Sequence, residues 1–123
     1  MILGASGTGK STLALELISR GASLVSDDRT MLQRDGDQLI ASAPAPIQGL
    51  IEARGIGILK TPTEGPTPVA LAVDMAQVET ARLPQAHWRT LLDHPVRCLR
   101  RVEAPYFPAA ILLCLAHGIS DPT

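Results

Sequence analysis

Met1-Ile2-Leu3-Gly4-Ala5-Ser6-Gly7-Thr8-Gly9-Lys10-Ser11-Thr12 is the stretch on which the fold turns. Met1-Ile2-Leu3 reads as the last rung of a buried strand, and Gly4 to Gly9 as a loop. Ser11 to Arg20 reads as a helix, because Leu13 with Leu17 and Ala14 with Ile18 recur four residues apart on one face. Gly21 follows as the residue that stops it. The loop fits the pattern G-x-x-x-x-G-K-[S/T] without a mismatch, from Gly4 through Ala5, Ser6, Gly7, Thr8 and Gly9 to Lys10 and Ser11. Gly4, Gly7 and Gly9 permit the backbone conformations that turn successive N–H groups inward as an anion nest. The positive end of the following helix faces the same anion. Lys10 reaches the outer phosphates of a nucleotide, the Ser11 hydroxyl is a Mg²⁺ ligand, and Thr12 adds a second hydroxyl nearby. The chain is therefore expected to bind ATP with Mg²⁺.

Outward from that loop, Ser23 to Ser26 reads as a short apolar strand running into Asp27-Asp28. Ligands in α/β sheets gather beyond the carboxyl ends of strands. Two carboxylates placed there, one helix after a phosphate loop, can divide the work. One faces the metal shell and the other takes a proton from an attacking hydroxyl. The alternative is a solvated turn before a hairpin. Thr30 to Gln33 and Gln38 to Ala41 flank Asp35-Gly36, a hairpin signal. Pro44 and Pro46 then break regular structure. Gly49 to Leu59 holds two apolar pieces around Arg54-Gly55. Within it, Glu52 is a candidate Mg²⁺ ligand and Arg54 a candidate cation for a transferring phosphoryl group. A structural salt bridge in a glycine bend explains the same residues. Thr61 to Pro68 carries three prolines and reads as a loop. Val69 to Val73 reads as a buried strand, Glu79 to Leu92 as partly helical with a break at Pro84, and Ala109 to His117 as a last helix opened by Pro108 and ended by Gly118. This order implies an α/β fold with a mixed sheet.

The chain has 123 residues, enough for one domain with its own core. It is 46% hydrophobic but only 2% aromatic, so aliphatic side chains must build that core. With 11 basic and 12 acidic residues the formal net charge is −1, which leaves no electrostatic footprint for nucleic acid or an anionic membrane. Cys98 and Cys114 lack metal-ligand spacing and read as small buried hydrophobes in a reducing compartment. His87, His94 and His117 show no mutual metal spacing either. Ala109 to Ala116 is about half the ~20 residues needed to span a bilayer. No membrane insertion and a cytoplasmic location are expected. Trp88 is expected to anchor packing, and Ile111 to Leu115 to form a core helix or a subunit interface.

Three blocks taken together resemble a known family. Gly-Ala-Ser-Gly-Thr-Gly-Lys-Ser-Thr, then Leu24-Val25-Ser26-Asp27-Asp28, then Ile51-Glu52-Ala53-Arg54-Gly55-Ile56-Gly57-Ile58 look like the catalytic domain of HPr kinase/phosphorylase, in the family's order and at close to its spacing. The resemblance is specific from Gly4 to Leu59. It implies a P-loop fold akin to that of phosphoenolpyruvate carboxykinase, with hexamers common. It implies transfer of phosphate from ATP to a serine of HPr, a small carrier protein of the sugar phosphotransferase system, and its removal by phosphorolysis that releases pyrophosphate. By position, Lys10 matches the P-loop lysine, and Ser11 and Glu52 match the Mg²⁺ ligands. Asp28 matches the residue that accepts and returns the seryl proton. Asp27 matches its neighbour, and a shift of one residue would exchange the two roles, which makes Asp27 a metal candidate as well. Arg54 lies in the family's short catalytic signature, and Arg82 in Ala81-Arg82-Leu83 matches a catalytic arginine.

The chain departs from the pattern at both ends. It looks like the short proteobacterial form without the N-terminal domain of longer members. Residues 1 to 123 are expected to be a single catalytic domain truncated before the P-loop, where the family carries a strand and a histidine. Pro95-Val96-Arg97 matches the segment tied to dephosphorylation only faintly, and Arg100-Arg101 reads as surface. Two rival functions stand beside this one: a P-loop kinase for a small metabolite, and a nucleotide-binding module with impaired catalysis.

Overall fold

The computed structural model describes residues 1–120. Its centre is a four-stranded mixed sheet in the order β1 (Ile2–Leu3), β7 (Leu71–Val78), β9 (His94–Arg101), β8 (His87–Leu91). β1, β7 and β9 run parallel, and β8 returns antiparallel at the edge. Between β1 and β7 the chain forms α1 (Lys10–Ser19), the strands β2 (Met31–Asp35) and β3 (Gln38–Ser42), a short 3₁₀ turn, β4 (Leu50–Ala53), β5 (Gly57–Lys60) and β6 (Thr67–Pro68). α2 (Phe107–His117) comes last. The fold is thus the expected α/β type with a mixed sheet and flanking helices.

Strand β7 explains the layering. All of Leu71, Ala72, Val73, Asp74 and Met75 are buried, as a central strand covered on both faces must be. Alternate residues point to opposite faces. Leu71, Val73 and Met75 pack with Leu13 of α1 and Phe107 and Ile111 of α2. Ala72 faces the other way, into a cluster with Leu39 of β3 and with Val96 and Cys98 of β9. Helices therefore cover one face, and the small sheet β2-β3-β6 covers the other. α1 ends where the sequence indicates: Gly21 has φ +105, and its N–H and that of Ala22 bond to the carbonyls of Ile18 and Leu17. α2 ends at Gly118, whose N–H bonds to the Cys114 carbonyl at 2.8 Å.

Four expectations need correction. Ser23 to Ser26 forms no strand; only Leu24 makes a bridge, parallel to Thr63, because the proline-bearing segment beside it pairs through Pro62 and Glu64 alone. Glu79 to Leu92 contains no helix. The Glu79 carboxylate accepts the amides of Thr80 and Ala81 at 3.0 and 3.2 Å, which holds an extended turn, and β8 follows. β9 was not expected at all. Trp88 anchors no core: it is 63% exposed, and the Arg97 guanidinium lies 6.0 Å from its ring centre on the directly opposite residue of β9.

The two hairpin turns hold each other. Arg34 Nη1 donates to the carbonyls of Leu92 and Asp93 at 3.4 and 3.5 Å, and His94 Nε2 lies 2.7 Å from the Asp37 carbonyl oxygen. No helix among the described residues is long and apolar enough to cross a membrane.

Candidate nucleotide site

Gly4 to Gly9 joins β1 to α1 at the carboxyl edge of the parallel strands. Gly4, Gly7 and Gly9 have φ of +143, +86 and +91, backbone conformations that side chains disfavour. Close approach adds a second reason at Gly4. A Cβ there would lie 2.6 Å from Thr8 Oγ1 and 3.4 Å from Met75 Cβ. Thr8 closes the loop on itself, with its hydroxyl donating to the Ala5 carbonyl at 2.7 Å and its N–H to the same oxygen at 3.3 Å. Ala5, Ser6 and Gly7 at the rim are exposed, as are Ser11 and Thr12 in the first turn of α1, while Lys10 is half-buried.

The acidic pair lies within electrostatic reach of this loop. Asp27 Oδ2 accepts the Glu52 amide at 3.3 Å, which ties the bend after Leu24 to β4. Burial pushes the Asp27 carboxyl above the usual aspartate value, and the charges of Asp28 and Glu52 push the same way. The Glu52 amide and the Lys10 ammonium oppose that rise. Lys10, Asp27, Asp28 and Glu52 thus share one electrostatic neighbourhood. Its carboxylates are hard oxygen donors that repel one another, which suits Mg²⁺. That ion takes one or two protein carboxylates and completes its shell with water and substrate phosphate. Among the described residues no group of three or more His, Cys, Asp or Glu side chains is arranged to hold a metal ion. Buried Ile51 and Ala53 point inward from β4, so alternation sends Glu52 outward to solvent. Arg54 opens the β4–β5 turn and is exposed.

Two clefts flank the helices. The first, about 360 Å³, runs along α1 beside the phosphate loop and is lined by Thr8, Thr12, Glu16, Arg101 and Phe107 among others. The second, about 310 Å³, is lined by Glu79, Arg82, His87 and Tyr106. Arg82 lines this second cleft rather than the first, on an exposed loop and not on a helix.

Two residues escaped the sequence reading. Arg101 is not a surface bystander: at the end of β9 its Nη1 donates to the Thr8 carbonyl at 3.4 Å, and its Nη2 donates to Glu103 at 2.8 Å. Because Thr8 C=O and Gly9 N–H belong to one trans peptide, a carbonyl held toward Arg101 aims that N–H the opposite way. Met75, under the loop, would meet Cβ atoms at Gly4 and Gly9. A signal existed for Met75, since Leu71, Val73 and Met75 alternate along one face of the strand. None existed for Arg101.

Comparison with known proteins identifies the family and the fold. The model of the HPr Serine kinase C-terminal domain family matches residues 1–64. HPr kinase/phosphorylase of Bacillus licheniformis is 52% identical over 64 residues, which is 51% of this chain and 21% of the relative. HPr kinase/phosphorylase of an Exiguobacterium species gives the same identity and coverage. The chain spans about a fifth of the length of these curated relatives. The solved structure of the Hpr(Ser) kinase/phosphatase from Coxiella burnetii matches with a TM-score of 0.76 at 27% identity, covering 94% of this chain and 83% of that one.

Proposed function

The chain belongs to the family of HPr serine kinase C-terminal domains, and on that premise we propose that residues 1 to 123 act as one P-loop catalytic unit. It transfers the γ-phosphoryl group of ATP to a serine of the phosphocarrier protein HPr, and removes that group by phosphorolysis. The output is regulation of carbohydrate metabolism through the phosphotransferase system. The observation that carries this reading is the single neighbourhood of Lys10, Asp27, Asp28 and Glu52 beside the glycine loop.

In this reading the amides of Gly4 to Gly9 and the amino end of α1 grip the triphosphate, and Lys10 neutralises its outer phosphates. Ser11, Glu52 and Asp27 would hold Mg²⁺, which would supply positive charge to offset that of the outer phosphates. Asp28 takes the proton from the seryl hydroxyl as that oxygen bonds to the γ-phosphorus and the bond to ADP breaks. Arg54 balances charge on the phosphoryl group in flight, and Arg82 is a further arginine for that task if its loop folds over the site. In the reverse direction an oxygen of inorganic phosphate bonds to the phosphorus of phosphoserine as the bond to the seryl oxygen breaks, pyrophosphate is the product, and protonated Asp28 gives its proton to the departing seryl oxygen.

Incubation with γ-labelled ATP, HPr and a panel of small acceptors tests the proposal. Label should reach HPr and not a serine-to-alanine HPr. Asp28→Asn should slow transfer by about 10²–10⁴-fold with ATP affinity retained. Transfer at the wild-type rate in Asp28→Asn, or label passing to a small acceptor instead of HPr, sinks it.

A further inference from the structure

We infer that the outward face of the β4–β5 hairpin is the docking surface for the protein acceptor, with Ile56 and Ile58 gripping an apolar patch beside the serine that receives the phosphoryl group. This deepens the proposed function and rests on its reading of Asp28 as the residue that meets that serine.

The register of the hairpin places the surface. Glu52 of β4 lies directly opposite Ile58 of β5, and Leu50 opposite Lys60. Opposed residues of an antiparallel pair share a face. The Glu52 amide turns out of the hairpin to Asp27 Oδ2 at 3.3 Å, whereas the Gly49 carbonyl faces across it to the Thr61 amide at 2.9 Å. Glu52 and Ile58 are therefore a non-hydrogen-bonded pair, the closer kind, whose Cα atoms lie about 4.5 Å apart. Ile58 thus stands beside the candidate Mg²⁺ ligand, one residue removed from the acidic pair. Ile51 and Ala53 fill the opposite face and are buried, so the outward direction of Glu52 and Ile58 is fixed by the register.

That face carries apolar surface where solvent would favour polar groups. Ile56 is 79% and Ile58 63% exposed. Ile56 sits at the tip, its amide bonded to the Ala53 carbonyl at 2.9 Å across a turn in which Gly55 has φ +87. Together the isoleucines form a strip from the tip to Glu52. An apolar strip rimmed by polar residues is the kind of surface that marks a contact. Exposed Arg54 and Lys60 border it and favour a partner surface that is neutral or acidic.

The occupant that fits is the acceptor protein. Asp28 and Glu52 are exposed and line neither of the two clefts. The transferring end therefore lies open on a surface, where a macromolecule can cover it and a small acceptor would find few walls. A second copy of the chain seated on the same strip would cover Glu52 and shut the acceptor out. The strip instead gives a protein substrate a hold next to the reacting atoms, so its serine is positioned by contacts that are not themselves part of the chemistry.

The test follows label from γ-labelled ATP to HPr on the full chain, with the HPr concentration varied. Ile56→Thr/Ile58→Thr keeps β-branched side chains and with them the strand preference. In this variant KM for HPr should rise at least about tenfold. KM for ATP, and the slow hydrolysis of ATP without HPr, should stay within about twofold of wild type. Ile56→Val/Ile58→Val should recover most of the loss. In the unaltered protein the methyl NMR signals of Ile56 and Ile58 should move when HPr is added with MgADP, and not with MgADP alone. An unchanged KM for HPr, a rise of about tenfold in KM for ATP, unmoved methyl signals, or loss in the variant of a self-association shown by wild type would each overturn the inference and leave the kinase reading standing. Failure of wild type to label HPr would overturn that reading, and this docking face with it.

Discussion

Gly4→Ala should cripple nucleotide binding without unfolding the protein. Two costs follow from the geometry. At φ +143 the backbone of residue 4 lies where only glycine is comfortable, and holding alanine there costs roughly 1–3 kcal/mol. The new methyl carbon would also stand 2.6 Å from Thr8 Oγ1. The hydroxyl must swing away, which breaks its 2.7 Å bond to the Ala5 carbonyl and costs about 1 kcal/mol more. The loop is exposed and makes little of the core, so the chain relaxes by opening the loop. The total, about 2–4 kcal/mol, then appears as lost affinity for MgATP of about 30- to 1000-fold. Isothermal titration calorimetry reads it, and a thermal melt within a few degrees of wild type confirms that the fold survives. Thr8→Ala in the Gly4→Ala background removes the collision but not the backbone strain, so it should recover only part of the loss. Affinity within threefold of wild type in Gly4→Ala, or a double variant no better than the single one, would refute the reasoning.

Three further outcomes are expected. The raised Asp27 carboxyl adds stability in full below the unfolded aspartate value and loses it as pH rises through the higher folded value. Calorimetry of ligand-free Asp27→Asn should therefore give a higher melting temperature than wild type near pH 8, with the gap closing toward pH 4, whereas a lower melting temperature near pH 8 contradicts it. Ile111 is 2% exposed in the helix-side core, so Ile111→Ala should cost about 2–5 kcal/mol, a fall of roughly 8–20 °C at about 4 °C per kcal/mol for a chain of this size. The Ala81 amide, then His87, hold Glu79 below the usual glutamate value. Its carboxyl carbon, followed by NMR, should titrate low in wild type and only partly recover in His87→Ala; full recovery would mean that His87 and not the amide dominates.

The sequence was most legible where chemistry is local. The phosphate loop needs particular residues in a fixed order, so its glycines, Lys10 and Ser11 announced themselves, as did α1 with its stop at Gly21. The hairpin of β2 and β3 was readable from Asp35-Gly36 for the same reason. The second hairpin was not. Its turn is Leu92-Asp93, both with positive φ, at 48° and 61°, where a readable two-residue turn would show glycine or asparagine. β9 hid behind Pro95, which normally demotes a central strand. Here Pro95 pairs only with Thr90 of the edge strand β8, and the ladder to β7 begins after it, at Arg97. Missing that strand meant missing Arg101, whose role depends on where β9 ends and not on its own sequence context. Asp27 and Glu52, 25 residues apart, could be named as candidates from pattern, but their hydrogen bond is a tertiary fact.

The mutual grip of the two turns has a consequence for the edge of the central sheet. Leu92 and Asp93 lack the intrinsic preference to reverse the chain, and the carbonyls they present are held by Arg34 from a hairpin closed nearly 60 positions earlier. The later turn is therefore braced by the earlier hairpin, and the edge strand β8 owes part of its hold to contacts made beyond its own last residue. A defect at Arg34 would surface as a looser turn at Leu92-Asp93, far along the chain from the altered residue.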